Sequence, residues 1–247
     1  MEKIVVCVMG QNCEKFIGMC LESVKDADAI VYCDGRSEDN TIKIVDSYWN
    51  KVKKGIIIQN EYNQEDKTMN GKQRNFYLDY LKKNYKGYWA LCLDADEILE
   101  DEGIEKIRRF IKTIQKEGED ILFSPRMRHF IGDLGHEDAT QQVHFVPHRF
   151  FKIKDDLFYS EVEHSILQSK KDMRSGNLPL FTIWHLREVL GIFGYKKKFL
   201  WNTKKSNMHT NQELKMWYYR MIYGDYPKIK IPIYEIPSPI KKEFLLE

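Results

Sequence analysis

Residues 89–99 read WALCLDADEIL. An apolar run with strand character, residues 89–93, stops abruptly at three carboxylates, Asp94, Asp96 and Glu97. In an extended segment side chains two apart share a face, so Asp94 and Asp96 point the same way while Ala95 turns to the interior. Like charges this close repel unless something offsets them. A divalent ion is the simplest remedy, because Mg2+ or Mn2+ held by one or two carboxylates completes its shell with waters and substrate phosphates. The stretch therefore predicts a strand whose end faces a nucleotide diphosphate.

This strand is the fourth of a series. Residues 3–9 (KIVVCVM) are a β-rich apolar run, and residues 14–24 place Phe16, Ile17, Cys20, Leu21 and Val24 on one helical stripe. Residues 29–33 (AIVYC) repeat the strand signal, the turn DGRSEDN interrupts it, and residues 41–49 carry apolar side chains at helical spacing. Residues 55–58 give a third strand, and a helix over 72–83 precedes the strand ending at Asp94. Such alternation predicts an α/β fold with a Rossmann-like, mostly parallel sheet flanked by helices. Ligands of open sheets collect beyond the carboxyl ends of the strands. Asp34, Asp94 and residues 10–12 should converge there.

Beyond Glu100 the pattern is less regular. A charged helix over 104–115, a strand over 121–124, a polar stretch with Gly132 and Gly135, and strand signals around 148–151 are expected. Residues 186–223 are rich in Lys, Tyr, Trp and Phe and read as a helical basic C-terminal extension. Pro227, Pro232, Pro237 and Pro239 mark the last twenty residues as an extended tail.

With 43% hydrophobic and 31% charged residues, the 247-residue chain can bury one substantial core. No uninterrupted apolar run approaches the roughly 20 residues that cross a bilayer. The opening MEKIVVCVMGQN lacks the pattern of a signal peptide, so a cytoplasmic location is expected, with the inner face of a membrane as the place of any peripheral contact. Cys7, Cys13, Cys20, Cys33 and Cys92 are odd in number, show no CxxC spacing and read as buried thiols. Charge is uneven: residues 165–247 hold 15 Lys+Arg against 7 Asp+Glu, while residues 1–164 hold 24 against 30. The basic, aromatic segment GYKKKFLWNTKK makes residues 191–205 the candidate for membrane contact or for holding an anionic acceptor. A nucleic-acid or membrane-binding module centred there is an alternative reading, although no nucleic acid is expected as partner.

The order of motifs resembles glycosyltransferase family 2, inverting transferases of the GT-A fold that use nucleotide-sugars. The segments IVVCVMGQNCEKFIGMCLESV, AIVYCDGRSEDNT, GKQRN and LDADE match densely over residues 3–100, and HRFFK, VEHSIL and TIWH extend the match thinly. The resemblance implies a GT-A catalytic domain over 1–185, with a nucleotide-binding half at 1–100 and an acceptor-binding half at 101–185. Residues 186–247 would form the basic aromatic extension and Pro-containing tail. The implied activity moves a sugar, most simply from a UDP-sugar, to a hydroxyl of a glycan or lipid-linked glycan, with Mn2+ or Mg2+ as cofactor. A nucleotidyltransferase acting on a sugar phosphate is the nearest rival, but MGQNCEKF has a single Gly where such enzymes usually carry a Gly-rich triphosphate loop.

The resemblance also implies roles. Met9, Gly10, Asn12 and Glu14 would line the nucleotide site. Asp34 would accept a hydrogen bond from the base, although Asp before Gly is also an ordinary turn former. Lys72 and Arg74, near a predicted helix start where cations are slightly unfavourable, would face the nucleotide or its diphosphate. Asp96 would hold the metal, Asp94 the ribose and, directly or through water, the metal, with Glu97 supporting from behind. His185, in TIWH, would add a further metal ligand. Glu163 is the candidate general base, in an element whose order, Val162-Glu163-His164, departs from the Val-His-Glu of related transferases. Glu161, Glu137 and Asp138 are its rivals.

Overall fold

The computed structural model describes residues 2–63, 65–114, 116–131, 133–139, 147–162, 165–186 and 228–244. The expected alternation is present: β1 (Ile4–Gly10), α1 (Ile17–Ser23), β2 (Ala29–Asp34), α2 (Thr41–Val52), β3 (Ile56–Gln59), α3 (Met69–Asn84) and β4 (Trp89–Asp94). There follow β5 (Glu97–Leu99), α4 (Gly103–Thr113), a 3-10 turn (Lys116–Asp120), β6 (Ile121–Ile131), β7 (Asp133–Asp138), β8 (Phe150–Lys152), β9 (Leu157–Tyr159), β10 (Leu167–Ser169) and β11 (Arg174–His185). After residue 227 come β12 (Lys228–Lys230), a second 3-10 turn (Ile233–Glu235) and α5 (Ser238–Glu243).

The main sheet runs in the order β12-β7-β6-β8-β4-β1-β2-β3, with β11 and β5 joined through β6. One half, β3-β2-β1-β4, is wholly parallel, and β8 turns the sheet antiparallel beyond β4. A parallel sheet needs cover on both faces, and the strand sequences supply apolar residues to both. Ile4, Val6 and Val8 of β1 join Ile30, Tyr32, Trp89, Leu91 and Leu93 in one core, under α1, α2 and α4. Val5 and Cys7 join Val31, Cys33, Ala90 and Cys92 in the other, under Tyr77, Leu78 and Leu81 of α3. The result is the α/β arrangement of the GT-A type that the sequence predicts. All five cysteines are free, four of them buried.

Two expectations need correction. The stretch read as polar and irregular is strand: β6 runs on from Ile121 to Ile131 and pairs with β7 and, in parallel, with β11. Pro125 hid this, because a residue without an N–H is expected to end a central strand. The ladder meets it with a bulge. Leu178 lies opposite Pro125, but the next partner of Arg126 is Thr182, so residues 179–181 are looped out of register.

The proline-rich tail is likewise not simply extended. Pro239 falls in the first turn of α5, where a fixed φ suits a helix and the missing N–H costs nothing. Ile231, Ile236 and Ile240 are buried in the same core as β1, and α5 lies against α1. Fully burying one such side chain contributes about 1.5–3 kcal/mol. The helical reading of residues 186–223, from residue 187 on, and the candidate contact at 191–205 lie outside the described residues. Among the described residues no helix is long and apolar enough to cross a membrane.

Candidate active site

The three parallel strand ends meet at one level: Gly10 is opposite Asp34 on β2, and Met9 is opposite Asp94 on β4. Met9 O accepts from Ala95 N at 2.8 Å and Gly10 O from Gly35 N at 2.9 Å, so β1 ties both neighbouring turns to itself. Gly10 is required for this closeness. A Cβ there would stand 2.6 Å from Ala95 Cβ and 2.9 Å from Cys13 Sγ.

The first two turns are stitched together by the residues predicted to line the nucleotide. Asn12, in the left-handed region at φ 51°, accepts from Glu38 N at 2.8 Å and donates its own N–H to Ser37 Oγ at 2.9 Å. Glu14 accepts from Asn40 N at 3.1 Å and Nδ2 at 3.0 Å. The helix α1 itself begins at Ile17, after a turn closed by Phe16 N and Ile17 N on Cys13 O. Asp34 is fully buried and accepts from Ser37 N (3.0 Å), Ser37 Oγ (2.6 Å), Gln59 Nε2 (3.1 Å) and Tyr32 OH (3.3 Å). Four donors match the roughly four acceptor positions of a carboxylate. A base reaching Asp34 must therefore displace one of them.

The carboxylates of LDADE are offset first by arginines. Arg74, on the buried side of α3, donates through Nη2 to Asp94 Oδ1 at 2.7 Å and Oδ2 at 3.0 Å, and through Nη1 to Tyr77 OH at 3.3 Å. Arg149, just before β8, donates through Nη2 to Asp94 Oδ2 at 2.9 Å and to Glu97 Oε1 at 2.5 Å. Glu97 Oε2 accepts from Asp94 N at 2.8 Å. Gly71 lets the start of α3 lie against the segment after β9, since a Cβ there would collide with Ser160 O. The anion that Arg74 faces is thus the protein's own Asp94. Lys72, by contrast, is exposed and pairs with Asp66 at 2.8 Å.

Burial penalises every charge in this cluster. Burial would raise the Asp94 pKa, yet Arg149 and Arg74 override it and hold the carboxyl well below its ordinary range.

Asp96 is placed differently. It lies at the partly exposed edge of the turn, its Oδ2 3.4 Å from Nε2 of His185, which β11 delivers beside β5. Two donors on neighbouring positions of an octahedral Mg2+-type ion at 2.0–2.1 Å are about 3 Å apart, so this pair fits a cation with little adjustment. Among the described residues no three metal-ligating side chains cluster. A cation here would draw its remaining ligands from phosphate and water. Asp94, expected to share it, has both oxygens engaged by guanidinium groups.

Of the candidate bases, Glu163 lies outside the described residues. Glu161 is exposed, Asp138 is buried on β7, and Glu137 receives two hydrogen bonds from Arg128, at 2.6 and 3.1 Å. Two residues of the site were given no role from sequence. Arg149 stands in the matched HRFFK, where a basic residue before an apolar strand was the available signal. His129, whose Nδ1 is 2.9 Å from Nδ1 of His185, gave none, because it sits in the stretch read as irregular.

The family described as Glycosyl transferase family 2 matches residues 4–174. No curated protein matches the chain. Among solved structures it is similar to S. aureus TarS 1-349, with 19% identity over 86% of this chain and 68% of that one, and a TM-score of 0.48. The same fragment in complex with UDP gives 18% identity, 90% and 72% coverage and a TM-score of 0.48. A mycobacterial protein gives 12% identity, 98% and 88% coverage and a TM-score of 0.46. The chain spans 43% of the longer TarS structure.

Proposed function

Because the chain belongs to Glycosyl transferase family 2, we propose that this glycosyltransferase moves a sugar from a nucleotide-sugar, a UDP-sugar in the simplest case, to an acceptor hydroxyl with inversion at the anomeric carbon. The acceptor is a hydroxyl of a glycan or lipid-linked glycan. The observation that carries this reading is the meeting of Asp34, Asp94 and the Asp96–His185 pair at the carboxyl ends of neighbouring strands.

In this reading Asp96 and His185 hold Mn2+ or Mg2+. The cation supplies Lewis-acid stabilisation of the diphosphate as the bond to the sugar breaks. The chain's own residues do the rest. Arg74 and Arg149 neutralise Asp94 and Glu97 in advance, so the turn bearing Asp96 is rigid before any ligand arrives and little reorganisation is left for the transition state. Asp34 and its turn receive the base. The acceptor hydroxyl must lose a proton, and the candidate to take it is Glu163, with Glu161 as rival. Residues 191–205 are the candidate contact for a lipid-linked acceptor.

A melting-temperature panel of UDP, GDP, CDP and dTDP with and without Mn2+ tests the proposal, since a ligand that binds the folded form raises its stability. Stabilisation by UDP that needs Mn2+ and disappears in Asp96→Ala is the expected result. Failure of every diphosphate to stabilise the protein with Mn2+ would overturn it.

A further inference from the structure

We propose that His129 is a positioning residue for cation capture: its Nδ1 holds the His185 ring so that Nε2 faces Asp96, and it lets His185 exchange tautomers when the cation arrives. The inference rests on the reading of Asp96 and His185 as the cation's protein ligands. His129 on β6 and His185 on β11 are direct partners across a parallel ladder. Their Nδ1 atoms are 2.9 Å apart and their rings meet edge to face, at 84° and 5.0 Å between centroids. His185 Nε2 then lies 3.4 Å from Asp96 Oδ2. The neighbouring pair on the same two strands, Phe130 and Trp184, stacks at 5.0 Å and fixes the ladder from the buried side.

A bond between two ring nitrogens needs one donor and one acceptor. Without a cation, His185 Nε2 carries the proton towards the Asp96 carboxylate. Its Nδ1 is then an acceptor, and His129 supplies the N–H. A cation at Nε2 requires the lone pair there, so the His185 proton must sit on Nδ1 and His129 must accept it. The carboxylate or backbone carbonyl that commonly orients a metal-bound histidine can serve only the second state. An imidazole serves both. Two neutral rings carry two ring protons before and after, so the change is an exchange of positions that releases no proton from the pair.

The probe is Mn2+ with saturating UDP, free Mn2+ being counted by electron paramagnetic resonance and the melting temperature recorded for each variant. His129→Phe, which keeps a flat ring without nitrogen, should weaken Mn2+ binding about 10–100-fold. His129→Asn, whose amide falls near the Nδ1 position, should recover most of the affinity. A merely structural role would lower the melting temperature of His129→Phe and leave its Mn2+ affinity unchanged, and that result overturns the proposal. If Asp96→Ala abolishes Mn2+ binding in the same series, the cation site itself stands although His129 does not position it. If Asp96→Ala keeps the wild-type affinity, or if wild type binds no Mn2+, the underlying reading fails and the proposal with it. Should His129→Phe not fold, His129→Asn must still bind Mn2+ more tightly than His129→Gln, whose amide falls near Nε2; equal affinities overturn the proposal.

Discussion

Arg149 and Glu97 meet at 2.5 Å in the interior, the one 5% and the other 1% exposed, and the same Nη2 also reaches Asp94 at 2.9 Å. One guanidinium nitrogen therefore serves two carboxylates on either side of the turn that carries Asp96. A buried pair contributes little net stability, but removing one partner strands the other charge at a cost of about 3–5 kcal/mol.

Arg149→Met should accordingly lower the urea-unfolding free energy by about 3–5 kcal/mol, and Arg149→Lys should recover only part, because an ammonium lacks the fork that reaches both partners. The double variant Arg149→Met/Glu97→Gln should be more stable than Arg149→Met alone. A loss below about 1 kcal/mol, the scale of a surface pair, would show that the cluster is not held as described.

Asp94 and Asp96 share a motif but not an environment, and their isosteric variants should part company. Asp96→Asn, at the partly exposed edge of the turn, should keep the melting temperature of wild type while losing the Mn2+-dependent response to UDP. Asp94→Asn should melt earlier, because two buried arginines lose their shared anion. Equal melting temperatures for the two variants would contradict this division.

Gly10→Ala tests the closeness of β1 to the turn. Its Cβ would lie 2.6 Å from Ala95 Cβ, and Ala95 is buried, so the turn must shift. Overpacking of this kind costs about 1–3 kcal/mol, readable in urea unfolding, and the shift should also weaken metal-dependent nucleotide binding. Unchanged stability would mean that the turn yields freely.

Asp28 offers a pH dependence away from the site. Burial would raise its pKa, but the bond from Ile4 N at 2.8 Å and the Arg108 guanidinium at 3.1 Å together lower it below its ordinary 3.8. A carboxyl whose pKa is depressed by folding stabilises the protein above its unfolded value and loses that contribution as pH falls through the folded one. The stability difference between wild type and Asp28→Asn should thus be constant from pH 7 to 5 and shrink below about pH 4. A difference that instead grew with acid would mean that folding raises the Asp28 pKa.

The first hundred residues were legible because local and tertiary preferences coincide. The runs KIVVCVM, AIVYC and WALCLD are apolar on both faces, as only buried parallel strands are. Asp34 and Asp94 could be placed at strand ends for the same reason. What could not be read was the means of neutralising LDADE, since Arg74 and Arg149 lie 20 and 55 residues from Asp94 and no local pattern links them. Asn12, Glu14 and Asp34 show the converse. Their positions follow from the sequence, but the bonds joining their two turns depend on how β1 and β2 lie side by side. The strand character of 125–131 and 133–138 was hidden by Pro125, because only the pairing with β11 reveals how the missing N–H is accommodated.

That accommodation has an effect at the far end of the strand. Continued without interruption from Leu178 and Pro125, the pairing would bring Thr182, not His185, across from His129. Looping out residues 179–181 takes up three positions of β11 and thereby decides which side chain arrives at Asp96. An intact chain that paired here without the bulge would retain every side chain of the proposed cation site and still fail to assemble it, because His185 would fall three positions past His129.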